Sequence, residues 1–125
     1  MHELGIANAV LEAVKAEAAR HGGANPVKVG VRVGELSGID PDALRFSFEA
    51  IVHGTELQNL QLDIELCPRR HGCSDCGGTF VVRDYDARCP GCHSAATECV
   101  GGSELELAYV EVDDNEPSFA RTQSP

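Results

Sequence analysis

The sequence predicts an α+β fold: two helices packed on a three-stranded sheet, with a four-cysteine zinc-ribbon module inserted into the chain of that sheet. Three observations support this. Apolar residues recur at steps of three and four over residues 3–20, the period of an amphipathic helix. Valines alternate with polar or small residues over 27–33, the period of a strand with one buried face. Cys73-x-x-Cys76 is followed, after twelve residues, by Cys89-x-x-Cys92. Each pair is a thiolate chelate whose tight turn aims two sulfurs at one ion, and two chelates make a closed tetrahedral Zn(II) site. Gly77-Gly78 and Pro90-Gly91 supply the turn chemistry. Two redox dithiols are the competing reading.

The first helix carries Leu4, Ala7, Leu11, Val14 and Ala18 on one stripe, with Glu12, Lys15, Glu17 and Arg20 on other faces. His21-Gly22-Gly23 stops it, because glycine accepts the left-handed backbone of a helix end. The first strand then presents Val27, Val29, Val31 and Val33 to the core. After a loop at residues 34–38, Asp40 caps a second helix with Pro41 at its first position. Leu44, Phe48, Ile51 and Val52 form its inner face, and His53-Gly54 ends it. Leu60, Leu62, Ile64 and Leu66 alternate in a second strand. Leu105, Leu107 and Tyr109 alternate in the last, which is expected near residues 103–112.

The expected domains are therefore 1–66 with 101–112 as the α/β part, 67–100 as the zinc ribbon, and 113–125 as a disordered tail. Assigning the last strand to the ribbon is the alternative. It would leave a very small sheet.

Composition narrows the function. Hydrophobic residues make up 42% of the 125, but aromatics only 5%, with no Trp, so the core must be aliphatic and small. The region around the cysteines has little apolar material, and metal binding can supply the folding energy it lacks. Neither a signal peptide nor a membrane span is expected. Six cysteines without a secretory signal point to a reducing, cytoplasmic setting and to metal rather than disulfides. A net charge of −10 disfavours nucleic acid, where phosphate neutralisation supplies most of the affinity. No nucleophile–base arrangement or phosphate-binding loop is visible, so an enzyme is not expected.

Met1-His2 carries a second candidate metal site. The α-amine, the His2 backbone nitrogen and its imidazole can form fused chelate rings, and nitrogen donors in a tetragonal plane favour Ni(II) or Cu(II). The first amides of a helix lack intrahelical partners and are the easiest to give up to a metal. The helix dipole opposes a cation there, and Glu3 in the first turn offsets part of that repulsion. Asp40, Glu35 or the Met1 sulfur are candidates to complete the coordination. Exposure to solvent is the plain alternative for an N-terminal His.

The opening Met1-His2-Glu3-Leu4-x-Ile6-Ala7, the central Val33-Gly34-Glu35-Leu36-Ser37-Gly38, the paired CxxC with Cys89-Pro90-x-Cys92, and Gly102-x-Glu104-Leu105 resemble the HypA/HybF family over residues 1–112. The resemblance implies a nickel metallochaperone that inserts Ni(II) into [NiFe] hydrogenase. It implies His2 as nickel ligand with Glu3 beside it, and structural zinc on Cys73, Cys76, Cys89 and Cys92. It also implies a HypB-type GTPase and the hydrogenase large-subunit precursor as partners. Some relatives serve urease maturation too, which adds urease maturation proteins to the partners the resemblance allows, and a homodimer is compatible with the reading. In one respect the chain departs from the pattern of certain members, which place a His near each CxxC pair: His93 follows the second pair, but Gly77-Gly78 follow the first. A zinc-ribbon interaction adaptor without transported metal is the alternative function.

Among the remaining candidates, Cys67 and Cys99 bracket the ribbon and are expected to be reduced bystanders rather than spare ligands. His71 and His93 are candidate hydrogen-bond donors to the thiolates or surface residues.

Overall fold

The computed structural model describes residues 2–113 of the chain, His2 as backbone only. The elements run α1 (His2–Arg20), β1 (Asn25–Gly34), α2 (Pro41–Val52), β2 (Gln61–Cys67), β3 (Arg70–Cys73), β4 (Thr79–Val81), β5 (Thr97–Gly101) and β6 (Leu105–Asp113). Two three-stranded sheets result, ordered β2-β1-β6 and β4-β3-β5. The second sheet lies between β2 and β6 in the chain, so the expected insertion is the observed one. β6 pairs with β1, not with the ribbon.

Local chemistry sets the helix limits. At the end of α1 the Gly23 N–H reaches the Ala18 carbonyl and the Gly22 N–H the Ala19 carbonyl, with both glycines at positive φ. This is the paired bonding that closes a helix through a left-handed residue. At the start of α2, Asp40 Oδ1 accepts from the Asp42 and Ala43 N–H groups, at 3.0 and 3.5 Å. β1 and β2 are parallel, with α2 as the crossover between them, and β6 returns antiparallel on the other side of β1.

The core lies between this larger sheet and the two helices. Ala7, Leu11 and Val14 of α1, Val29, Val31 and Val33 of β1, Leu44, Phe48 and Val52 of α2, and Leu60 and Leu62 are buried together. Burying each of the larger of these side chains is worth about 1.5–3 kcal/mol.

Val27, at a register shift between Pro26 and Lys28, is only partly buried and outside this core, and three further expected inward positions lie elsewhere. Leu4 on α1 and Leu66 on β2 are exposed. On β6, Leu105, Leu107 and Tyr109 do not share a face. Val31 pairs with Leu107 but Gly30 pairs with Tyr109, so Ala108 is an extra residue. One extra residue reverses the alternation of a strand. Val110, opposite Val29, therefore packs against the core, and Tyr109 takes the outer face. Its ring lies against Gly30, where any Cβ would collide with it. From there its hydroxyl donates to Asp63 Oδ2 of β2 at 2.6 Å, spanning the sheet. This bond, with burial added, holds the Tyr109 pKa up at about 12. The strand begins at Leu105 rather than 103 and includes Asp113. The rest of the expected tail lies outside the described residues.

Candidate metal centre

The ribbon meets the larger sheet at a tight crossing. A side chain at Gly34 would strike the Gly102 backbone, and one at Gly102 would strike the Arg69 backbone. The Glu35 N–H donates to the Cys67 carbonyl and the Leu36 N–H to the Gly102 carbonyl. The Glu35 carboxylate accepts the Arg69 N–H at 2.8 Å. The loop after β1 thereby holds both strands that lead into and out of the ribbon.

Two knuckles carry the cysteines, built to one pattern. In the first, the Cys73 N–H reaches the Gly78 carbonyl and the Gly77 N–H returns to the Cys73 carbonyl. In the second, the Cys89 N–H reaches the Ser94 carbonyl and the His93 N–H returns to the Cys89 carbonyl. The residue after each second cysteine has positive φ, 78° at Gly77 and 65° at His93. The Gly-for-His difference noted in the sequence thus falls at one equivalent turn position. Glycine occupies it without strain, while His93 is held in a backbone region that L-residues avoid. Ser94 Oγ donates to Asp75 Oδ2 at 2.5 Å and fastens one knuckle to the other.

The four sulfurs of Cys73, Cys76, Cys89 and Cys92 lie within 4.8 Å of one another. Cys73–Cys92 and Cys76–Cys89 are 3.5 and 3.6 Å apart. Zinc–sulfur bonds of about 2.3 Å in a tetrahedron set sulfur–sulfur edges near 3.8 Å, so the donor set fits a zinc ion. Cys73 and Cys89 are buried and Cys76 and Cys92 exposed.

Backbone N–H groups of Cys92 and Gly91 point at Cys89 and, against burial, bring its pKa down to about 7. At Cys92 the Ser94 N–H acts in the same sense, but hydrogen bonding to Cys73, burial and the other two thiols outweigh it and leave the pKa at about 12. Without an ion the cluster shares protons. A bound Zn(II) would take their place and crosslink the knuckles as a closed, structural site.

His71 does not serve the thiolates. It is buried, its Nε2 accepts from Arg69 Nε at 3.2 Å, and its Nδ1 is 3.1 Å from Thr97 Oγ1. Since Nε2 is the acceptor, Nδ1 carries the proton and donates. Thr97 in turn donates to the Ala87 carbonyl at 2.6 Å. This relay ties the domain crossing to the loop just before Cys89. It joins residues up to 26 apart, for which no local signal exists in the sequence. His93 is exposed, as is Cys99, while Cys67 is buried. Neither of these cysteines belongs to the four-sulfur group.

At the other candidate site, Met1 and the His2 side chain lie outside the described residues. Glu3 Oε2 accepts the Asp40 N–H at 3.2 Å, which sets the first turn of α1 beside the capped start of α2. Asp40 and Glu35, the candidates for completing a coordination shell, already cap α2 and brace Arg69.

Fold and cluster together define a small α+β protein with a four-cysteine metal ribbon. A family model described as hydrogenase/urease nickel incorporation, metallochaperone (HypA) matches residues 1–112. Hydrogenase maturation factor HypA of Geobacter metallireducens is 39% identical over 113 residues, covering 90% of this chain and 100% of the relative. Hydrogenase maturation factor HybF of Escherichia coli is 33% identical over 113 residues, with the same coverage of 90% and 100%. A solution structure of a HypA protein aligns with TM-score 0.65 and 25% identity over 90% of this chain and 96% of that one. The Ni metallochaperone HypA of Helicobacter pylori aligns with TM-score 0.61 and 23% identity over 90% and 98%, which shows a shared fold. The chain belongs to the HypA family of nickel-incorporation metallochaperones. Among the described residues no helix is long and apolar enough to cross a membrane.

Proposed function

We propose that this chain binds Ni(II) at its N-terminus and delivers it during maturation of [NiFe] hydrogenase, in the cytoplasm. The ligands are the Met1 α-amine, the His2 backbone nitrogen and the His2 imidazole. Glu3 lowers the local positive potential of the helix end and keeps the first turn docked on Asp40. Cys73, Cys76, Cys89 and Cys92 hold structural zinc in the ribbon, residues 67–100, and the α/β part presents the nickel end.

One observation carries the reading. In a family of nickel-incorporation proteins, the cysteine cluster is a complete set of four donors within 4.8 Å. Four sulfurs close a tetrahedron and leave no position for cargo, so nickel needs a second site. The N-terminal chelate offers the nitrogen donors that Ni(II) favours. Release goes to the hydrogenase large-subunit precursor, with a HypB-type GTPase supplying the nucleotide-driven step; urease maturation proteins are secondary partners.

Hydrogenase activity in cells carrying His2→Ala tests this, measured with and without added nickel. Loss of activity that excess nickel restores is the expected outcome. Full activity without added nickel would leave only the adaptor reading.

A further inference from the structure

The rest of the chain treats the two rims of the larger sheet differently. At the β2 rim, α2 reaches over and Arg45 donates to the Leu62 carbonyl at 2.6 Å. At the opposite rim, β6 pairs among the described residues on one side only, with β1. Beside it runs an apolar slot of about 260 Å³ between α1 and β6. Ile6, Val10 and Ala13 form its helix wall, and Leu105 and Leu107 its strand wall. These two leucines remain 44% and 40% exposed, although the bulge at Ala108 turns them to the helix side. Small side chains on α1 keep the slot open, because alanine leaves the wall at Ala13 short.

An unpaired strand rim next to an apolar slot is the receiving half of strand addition. Backbone hydrogen bonds then supply affinity, and alternate side chains supply specificity. A second copy of this chain is a poor occupant. Two chains of net charge −10 repel. The outer face of the sheet reinforces this. Lys28 and Arg32 on β1 lie between Asp63 and Glu65 on β2 and Glu106 and Glu111 on β6. Arg32 is shared by Glu65 and Glu106, so negative charge is in surplus. Charge that excludes a copy attracts a basic strand.

We infer that β6 is a docking rim for an extended segment of a partner protein in which aliphatic residues alternate with Lys or Arg. The aliphatic side chains enter the slot beside Leu105 and Leu107. The basic ones lie on the opposite face, against Glu106 and Glu111. Period-two alternation in the segment matches the two chemistries to the two faces of the sheet. The inference does not depend on the nickel site.

A capped, fluorescein-labelled hexapeptide of alternating Val and Lys, titrated into the full zinc-loaded chain, tests it by anisotropy. Two control peptides replace Val by Ser or Lys by Glu. The Val/Lys peptide is expected to bind about tenfold or more tightly than either control, and to slow hydrogen exchange of the β6 amides. Leu107→Lys, and separately Ala13→Leu, which fills the slot, should each weaken binding about tenfold. Leu66→Lys on the other rim should leave it unchanged. Circular dichroism checks that each variant is folded. Equal binding of the Ser/Lys peptide, or protection confined to other strands, would overturn the inference. So would binding that emerges only after removal of residues 114–125, which would make that segment the occupant. A sedimenting dimer that Leu107→Lys dissociates would likewise assign the rim to a second copy.

Discussion

The two sheets are held by different chemistry. Behind β1 and β2, α1 and α2 supply a continuous aliphatic core with Phe48 at its centre. Within the ribbon the buried set is Cys67, His71, Cys73, Val82 and Cys89, and none of these joins that core. Charge separates the regions as well. Arg69, Arg70, Arg83 and Arg88 balance Asp75, Asp84, Asp86 and Glu98 in the ribbon, so the net charge of −10 originates in the rest of the chain. One region folds by removing apolar surface from water. The other has too little such surface to offset the entropy of ordering its backbone and needs a crosslink. The nickel site proposed at the N-terminus belongs to the first region and the four-cysteine cluster to the second, so on this proposal cargo and staple are held by separate scaffolds.

Removing the staple is the strongest way to test that separation. Chelation, or Cys73→Ser with Cys89→Ser, should forfeit a metal-linked folding energy on the order of 10 kcal/mol. Hydrogen exchange should then show β3–β5 open while β1, β2 and the helices stay protected. Loss of protection throughout would show one cooperative unit instead. Zinc capture should also depend on pH. The folded Cys89 pKa is lowered to about 7, so its thiolate predominates above about 7, below the usual thiol range, and is lost as pH falls through about 7. The other thiols must still release their protons to solvent as the ion binds. Competition with a chelator should therefore show zinc affinity falling at least about tenfold per pH unit below 7.

Phe48→Ala is the converse test. It empties the centre of the aliphatic core and should cost about 3–5 kcal/mol, a large part of a small domain's stability. Thermal unfolding should shift strongly while the zinc content stays at one ion per folded chain. The smallest expected effect lies at the second knuckle. His93→Gly places glycine where Gly77 already stands in the first, and should stabilise the ribbon by about 0.5–1 kcal/mol. Denaturant unfolding of the zinc-loaded chain would show it, and destabilisation would mean that the His93 side chain makes a bond worth more than the strain.

Much of this organisation was legible in the sequence because it is local. The 3.6 period of α1, the alternating valines of β1, the Asp40-Pro41 cap and the paired CxxC each report on neighbours within a few residues. The equivalence of Gly77 and His93 was legible too, since both follow a CxxC pair at the same offset. What was not legible is non-local. The bulge at Ala108 exists only relative to β1, and it moves Tyr109 off the face that alternation assigns it. His71, buried by Arg69 and Thr97, looks in sequence like a ligand or a surface residue. Glu3 stands beside the proposed nickel ligand His2 in the chain, yet its bond to Asp40 appears only when the two helix starts meet.

Metal content measured on the native chain, free of any tag, tests the separation of cargo from staple most directly. Wild type and His2→Ala are loaded with zinc, exposed to Ni(II), passed over a desalting column and assayed for both metals. The account predicts one zinc per chain in each protein, and one nickel in the wild type that is lost in His2→Ala. Nickel retained by His2→Ala, or nickel gained only as zinc is lost, would contradict it.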